Sequence, residues 1–156
     1  MQLRSTEILH GHIEDVFAAL SDFAAAEAAA MERGLDVQRR DALGTPGEGM
    51  QWKVAFFARG RDREAEFELV KYTRPTGMRY EGHVGGLLFE TSVACRVLDS
   101  NSTEVTVSTK LRARSMSAKV LLQSMKLARG RVVQRYRKGV RRLLHQVESR
   151  GTTSTG

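Results

Sequence analysis

The chain has 156 residues, 41% of them apolar, enough for one domain with a core of its own. Cys95 is the only cysteine, which excludes an internal disulfide and a cysteine-based zinc cluster, and no apolar run approaches the roughly 20 residues of a membrane span. Charge is split along the chain: residues 1–109 carry 12 Lys/Arg against 17 Asp/Glu, while residues 110–156 carry 13 against the single Glu148.

The first residues, MQLRSTEILHGHIEDV, have neither the apolar stretch nor the small-residue cleavage site of a secretory signal. With the lone cysteine this predicts a cytoplasmic protein. In chain order, Leu3–Leu9 reads as a short strand. Ile13, Val16, Phe17, Leu20 and Phe23 then recur at helical spacing. Ala24–Arg33 is alanine-rich and continues as helix until Gly34, which can take the left-handed conformation that ends one. The two helical stretches are either continuous or broken near Ser21–Asp22.

From Leu35 the period becomes two. Leu35, Val37 and Arg39 alternate with Asp36, Gln38 and Arg40, and Thr45-Pro46-Gly47 marks a turn. Met50, Trp52, Val54 and Phe56 then alternate with Gln51, Lys53, Ala55 and Phe57 as a strand. A two-residue turn at Gly60-Arg61 predicts the pairs Phe56–Ala65, Val54–Phe67 and Trp52–Leu69. Gly85-Gly86 predicts Gly82–Phe89, Tyr80–Thr91 and Met78–Val93. A loop over Asp99–Thr103 predicts Val97–Val105, Cys95–Val107, Val93–Thr109 and Thr91–Leu111. These registers agree in placing Trp52, Val54, Phe56, Phe67, Leu69, Met78, Tyr80, Phe89, Thr91, Val93, Cys95, Val97, Val105, Val107, Thr109 and Leu111 on one inner face.

That face needs a cover, and the last segment supplies one. From about Ser115 to Arg150 an amphipathic helix is expected, with Ala118, Leu121, Leu122, Met125, Val132, Val133, Tyr136, Val140, Leu143, Leu144 and Val147 in one stripe. At ~1.5 Å per residue it would reach roughly 50 Å, so a kink or break is expected at Gly130. The fold class is α+β, with a single domain over 1–149 and a disordered tail over 150–156.

Four stretches carry a family likeness: HIEDVFAALSDF (His12 to Phe23), GEGMQW (Gly47 to Trp52), FELVKYTRPTGMRYEG (Phe67 to Gly82) and RVVQRYRKGVRRLLHQVES (Arg131 to Ser149). Together with the order helix pair, six-strand meander, long helix, they make nearly the whole chain resemble the START-like superfamily. This group, also called SRPBCC or helix-grip, includes polyketide cyclase/dehydrase and lipid-transport proteins. The chain departs from it at Ala24 to Ala30, where many relatives carry Trp and Pro. The resemblance implies a curved antiparallel sheet wrapped around the terminal helix, two short helices after the first strand, and a deep cavity between sheet and terminal helix for a hydrophobic small molecule. Fold alone does not choose among the activities the superfamily hosts.

Candidate chemistry is sparse. The expected cavity wall comprises Trp52, Val54, Phe56, Phe67, Leu69, Tyr80, Phe89, Thr91, Val93, Val107, Thr109, Met125, Arg129, Val132 and Tyr136. Arg129 falls within the apolar stripe, where a buried guanidinium would need an anionic ligand group; a break at Gly130 would instead turn it to solvent. Tyr80, Thr91 and Thr109 are either ligand-orienting hydroxyls or ordinary strand residues. His10 and His12 begin a helix without further ligands at metal spacing, so no metal is expected. Glu64, Glu66 and Glu68 alternate on the outer face opposite Lys53 and Arg59 and read as solvated charge. No nucleophile elbow, Walker loop or dinucleotide fingerprint is present, and no cofactor is expected.

The leading reading is a non-catalytic carrier or binding domain for a lipid or polyketide-like molecule. Its rival is a cyclase/aromatase-type enzyme in which Tyr80, Arg129 or a histidine moves protons. A third reading has the basic helix touching an anionic membrane surface transiently. The helix lacks interleaved surface aromatics, which argues against nucleic acid.

Overall fold

A computed structural model describes residues 1–154, with side chains through Arg150. The expected tail at 150–156 lies partly outside the described residues. Strand β1 (Gln2–His10) leads into helices α1 (Ile13–Leu20) and α2 (Phe23–Glu32). Six strands follow as a meander: β2 (Asp36–Arg39), β3 (Gln51–Ala58), β4 (Arg61–Thr73), β5 (Gly77–Val84), β6 (Leu87–Asp99) and β7 (Ser102–Ala113). Helices α3 (Met116–Leu127) and α4 (Arg129–Ser154) close the chain. All strands form one curved antiparallel sheet in the order β1-β7-β6-β5-β4-β3-β2, so the first strand returns to pair with the last. This is the expected helix-grip architecture. Among the described residues no helix is long and apolar enough to cross a membrane.

Local chemistry explains the boundaries. The helix pair breaks at Ser21–Asp22, where the Asp22 carboxylate accepts from the Ala25 N–H at 3.1 Å and caps α2. Gly34 follows α2 with φ +85, as its position predicts.

Two hairpin registers differ from expectation by two residues. The β3–β4 turn is Arg59-Gly60, with both residues left-handed (φ 54 and 77), the combination a tight two-residue turn requires. Trp52 therefore faces Phe67, Val54 faces Ala65 and Phe56 faces Arg63. At β6–β7 the turn is Ser100-Asn101, drawn tight by the Asp99 carboxylate accepting from the Asn101 N–H at 2.8 Å. Thr91 therefore faces Thr109, Val93 faces Val107 and Cys95 faces Val105. The β5–β6 pairs are those expected from Gly85-Gly86. A shift of two keeps every side chain on its face, so the inner face survives both corrections. Val97 is exposed at the far end of its strand and adds nothing to the core.

The terminal helix breaks at Ala128 (φ −105, ψ 32), not at Gly130, which lies in the first turn of α4. The break redirects the chain: α3 packs on β7, and α4 on β1 and α1. Ala118, Leu122, Val140, Leu144 and Val147 are buried, whereas Leu143 is exposed. One core cluster joins Phe17, Leu9, Leu69, Val105, Val140 and Leu144. A second joins Leu3, Leu111 and Leu122, with Phe89, Met125, Val132, Val133 and Tyr136 packed against it.

Gly82 faces Phe67 across the sheet. A Cβ at Gly82 would overlap the Glu66 carbonyl oxygen and come 2.5 Å from Phe67 Cβ. Gly82→Ala is expected to lower stability by about 1–3 kcal/mol through overpacking. Chemical unfolding checks this; an unchanged midpoint would contradict the close approach.

Candidate functional site

A cavity of about 310 Å³ lies between α2 and the inner face of the sheet. Its helical wall is Phe23, Ala26, Glu27 and Ala30, spaced i, i+3, i+4 and i+7, so one helix face points into it. Two of those four positions are alanine, and their short side chains leave the space open. Val37, Trp52, Val54, Phe67, Tyr80, Phe89 and Thr91 line it from the sheet.

The sheet wall is aromatic and interlocked. The Trp52 and Phe67 rings stack at 5.3 Å, a direct result of their cross-strand pairing. Phe67 meets Tyr80 and Phe89 at 6.2 Å each, and Trp52 meets Phe23 at 5.7 Å. Such contacts fix ring orientations and hold the surface in shape.

Three polar features border this wall. The Tyr80 hydroxyl has a long contact to Met78 Sδ, 3.9 Å. Burial, reinforced by Tyr72, pushes its pKa up to about 12, so it stays a neutral hydroxyl. Thr91 Oγ1 lies 2.9 Å from Thr109 Oγ1, which lies 3.0 Å from the Tyr136 hydroxyl. That chain has three hydroxyl protons and two links, so one proton is left for another acceptor. At the rim, Glu27 accepts from the Trp52 indole N–H at 2.8 Å, and Arg39 Nη1 lies 3.6 Å from the same oxygen. Arg39 also sits over the Trp52 ring at 5.7 Å and grips Asp41 through two nitrogens at 2.9 and 2.7 Å. The Arg39 hydrogen bond, with a backbone bond from Gln51, holds the Asp41 carboxyl well below its ordinary range. Arg39 is thus committed to two carboxylates.

Tyr80 carries a pH prediction. The folded chain holds its proton more tightly than the unfolded one, since the pKa rises from 10.0 to about 12. Its contribution to stability is complete below pH 10 and is lost as the pH climbs toward about 12. In an absorbance titration, Tyr80→Phe should remove the highest tyrosinate step. Loss of an early step instead would contradict the burial.

Of the residues expected at the site, the structure brings Trp52, Val54, Phe67, Tyr80, Phe89 and Thr91 together. Thr109 stands one hydroxyl behind Thr91. Phe56 lies toward the hairpin opposite Arg63, away from the lining. Leu69 and Val107 are buried in the main core, with Val93 packed against it. Met125, Val132 and Tyr136 pack with Leu3 and Leu111 rather than lining this cavity. Arg129 is exposed: the break at Ala128 uncouples it from the phase of α3. The pocket is therefore walled on one side by α2 and open to solvent, and α3 and α4 supply packed core instead of a wall for it. The α2 stripe Phe23, Ala26, Glu27 and Ala30 was legible as spacing, but alanines there carry no chemical mark.

No family model and no curated protein sequence matches the chain. Solved structures do. A protein of Thermus thermophilus matches over 100% of both chains with TM-score 0.70 and 13% identity. The Zhui aromatase/cyclase of a Streptomyces species matches over 100% of this chain and 96% of its own, with TM-score 0.67 and 10% identity. Norcoclaurine synthase of Thalictrum flavum matches over 78% of this chain and 80% of its own, with TM-score 0.62 and 11% identity. At such identities the likeness is one of fold: the chain has the START-like, helix-grip fold.

Proposed function

We propose that this START-like chain binds, and carries, an uncharged hydrophobic small molecule in the cavity between α2 and the sheet. The observation that carries the reading is the aromatic wall of Trp52, Phe67, Tyr80 and Phe89 facing the short alanines of α2. A volume of about 310 Å³ is at the lower end for small-molecule sites and fits a compact ring system or one branch of a lipid. The ligand is uncharged because no charged group faces it unpaired: Arg39 is held by Glu27 and Asp41, the Glu27 carboxylate by Arg39 and the Trp52 indole, and Arg129 lies outside. Tyr80 and Thr91 favour one hydrogen-bonding group on the ligand, since each hydroxyl can accept or donate there.

A second reading is a cyclase/aromatase-type enzyme on a polyketide-like substrate. It is favoured by the shared fold with the Zhui aromatase/cyclase and by the Tyr80 hydroxyl on the cavity wall. Against it, burial moves Tyr80 away from neutral pH, the opposite of what a proton shuttle needs.

Native mass spectrometry of the chain purified gently from cells tests the binding reading. The expected result is an added mass that organic solvent removes. A bare chain that also takes up no lipid or aromatic probe would overturn it. Multiple-turnover conversion of a poly-ketone, lost in Tyr80→Phe, would favour the enzyme.

A further inference from the structure

Helix α3 is apolar on two opposite faces. Ala118 and Leu122 turn inward and are buried, with Leu121 and Met125 half-buried beside them. Met116, Val120 and Leu127 turn outward and are 75%, 64% and 90% exposed. Their spacing, i, i+4 and i+11, puts all three within about 40° around the helix, opposite the buried face. Packing against the sheet accounts for the inner face and leaves this outer stripe without a partner among the described residues.

The surrounding charge says what covers it. Lys119 and Lys126 fall on one flank of the stripe, and Arg129 and Arg131 follow directly. None of these four makes an ion pair among the described residues. No acidic residue occurs between Glu104 and Glu148. A second copy seated face to face would bring two such cationic helices together. A bilayer with acidic headgroups matches both features, since it offers an apolar boundary under a negative surface.

We infer that α3 is an interfacial anchor that seats the domain on an anionic lipid bilayer. Met116, Val120 and Leu127 enter the acyl boundary, and Lys119, Lys126, Arg129 and Arg131 meet the phosphates. This stands apart from the cavity reading, because none of these residues lines the cavity.

Flotation of the full chain with vesicles tests it. One set is phosphatidylcholine; in the other, a third of the lipid is phosphatidylserine. The expected result is recovery with the second set only, weakening as salt rises. Val120→Ser with Leu127→Ser should weaken recovery about tenfold or more. Lys119→Gln with Lys126→Gln should lower the preference for phosphatidylserine about tenfold or more, leaving the part that Arg129 and Arg131 supply. Circular dichroism and Trp52 emission confirm folding in each case. If the serine pair misfolds, Leu127→Ser alone carries the test, as that side chain is the most exposed of the three. Absence of flotation at low salt, equal recovery with both vesicles, or undiminished recovery of the serine variant would overturn the proposal. So would a dimer of the wild type that the serine variant dissolves.

Discussion

Phe17→Ala is expected to cost about 3–5 kcal/mol of stability, the range for deleting a fully buried phenyl ring. Phe17 is 0% exposed, and its ring lies 5.5 Å from that of Tyr72. It shares the core cluster with Val16, Leu9, Leu69, Val140 and Leu144, so it joins α1 to the sheet and to α4 at one point. Neighbours on a curved sheet and a long helix cannot collapse into the void without breaking their own pairing, which places the cost high in the range. A domain of this size has a total stability of about 5–15 kcal/mol, so a third or more is at stake. A urea unfolding curve with a lowered midpoint and unchanged slope is expected. A midpoint shifted by less than about 1 kcal/mol equivalent would show that α1 is not part of the main core.

Ala30→Phe is expected to weaken uptake of uncharged aromatic molecules strongly while changing stability little. Ala30 lies half-buried on the α2 face that lines the cavity. A phenyl group there would occupy space that a ligand ring would otherwise fill. The loss of affinity should be about a hundredfold, equivalent to roughly 3 kcal/mol and comparable to burying one large apolar group. Ala26→Phe, one turn earlier on the same face, should act in the same direction. Ligand uptake that survives both substitutions would place binding elsewhere in the domain.

The fold was readable because hydrophobic period and turn chemistry agree over most of the chain. The change from helical spacing at Ile13–Phe23 to alternation after Leu35 marks the passage from helices to sheet. Gly85-Gly86 predicted its register correctly because either glycine accepts the turn. The β3–β4 register was displaced because Arg59, a residue that seldom adopts positive φ, takes the first turn position before Gly60. The faces survived because an even shift cannot exchange them. The site was less legible. Its open space comes from Ala26 and Ala30, that is, from side chains too small to announce anything. Arg129 falls on the inward face only while the terminal segment is taken as one continuous helix. Once the chain turns at Ala128, helical phase cannot be carried from α3 into α4. The outward residues Met116, Val120 and Leu127 stand outside the expected apolar stripe, and helical spacing alone puts them on the opposite face; that this face stays exposed is visible only in the fold.

Trp52 is the only tryptophan of the chain and forms part of the cavity wall, so its fluorescence reports on the cavity directly. Titration with nitronaphthalene, an uncharged two-ring quencher with a hydrogen-bond acceptor, tests the central claim. A saturable fall in Trp52 emission that is insensitive to salt, and about a hundredfold weaker in Ala30→Phe, is the predicted result. A linear, non-saturating response, or the same saturation curve in both proteins, would contradict it.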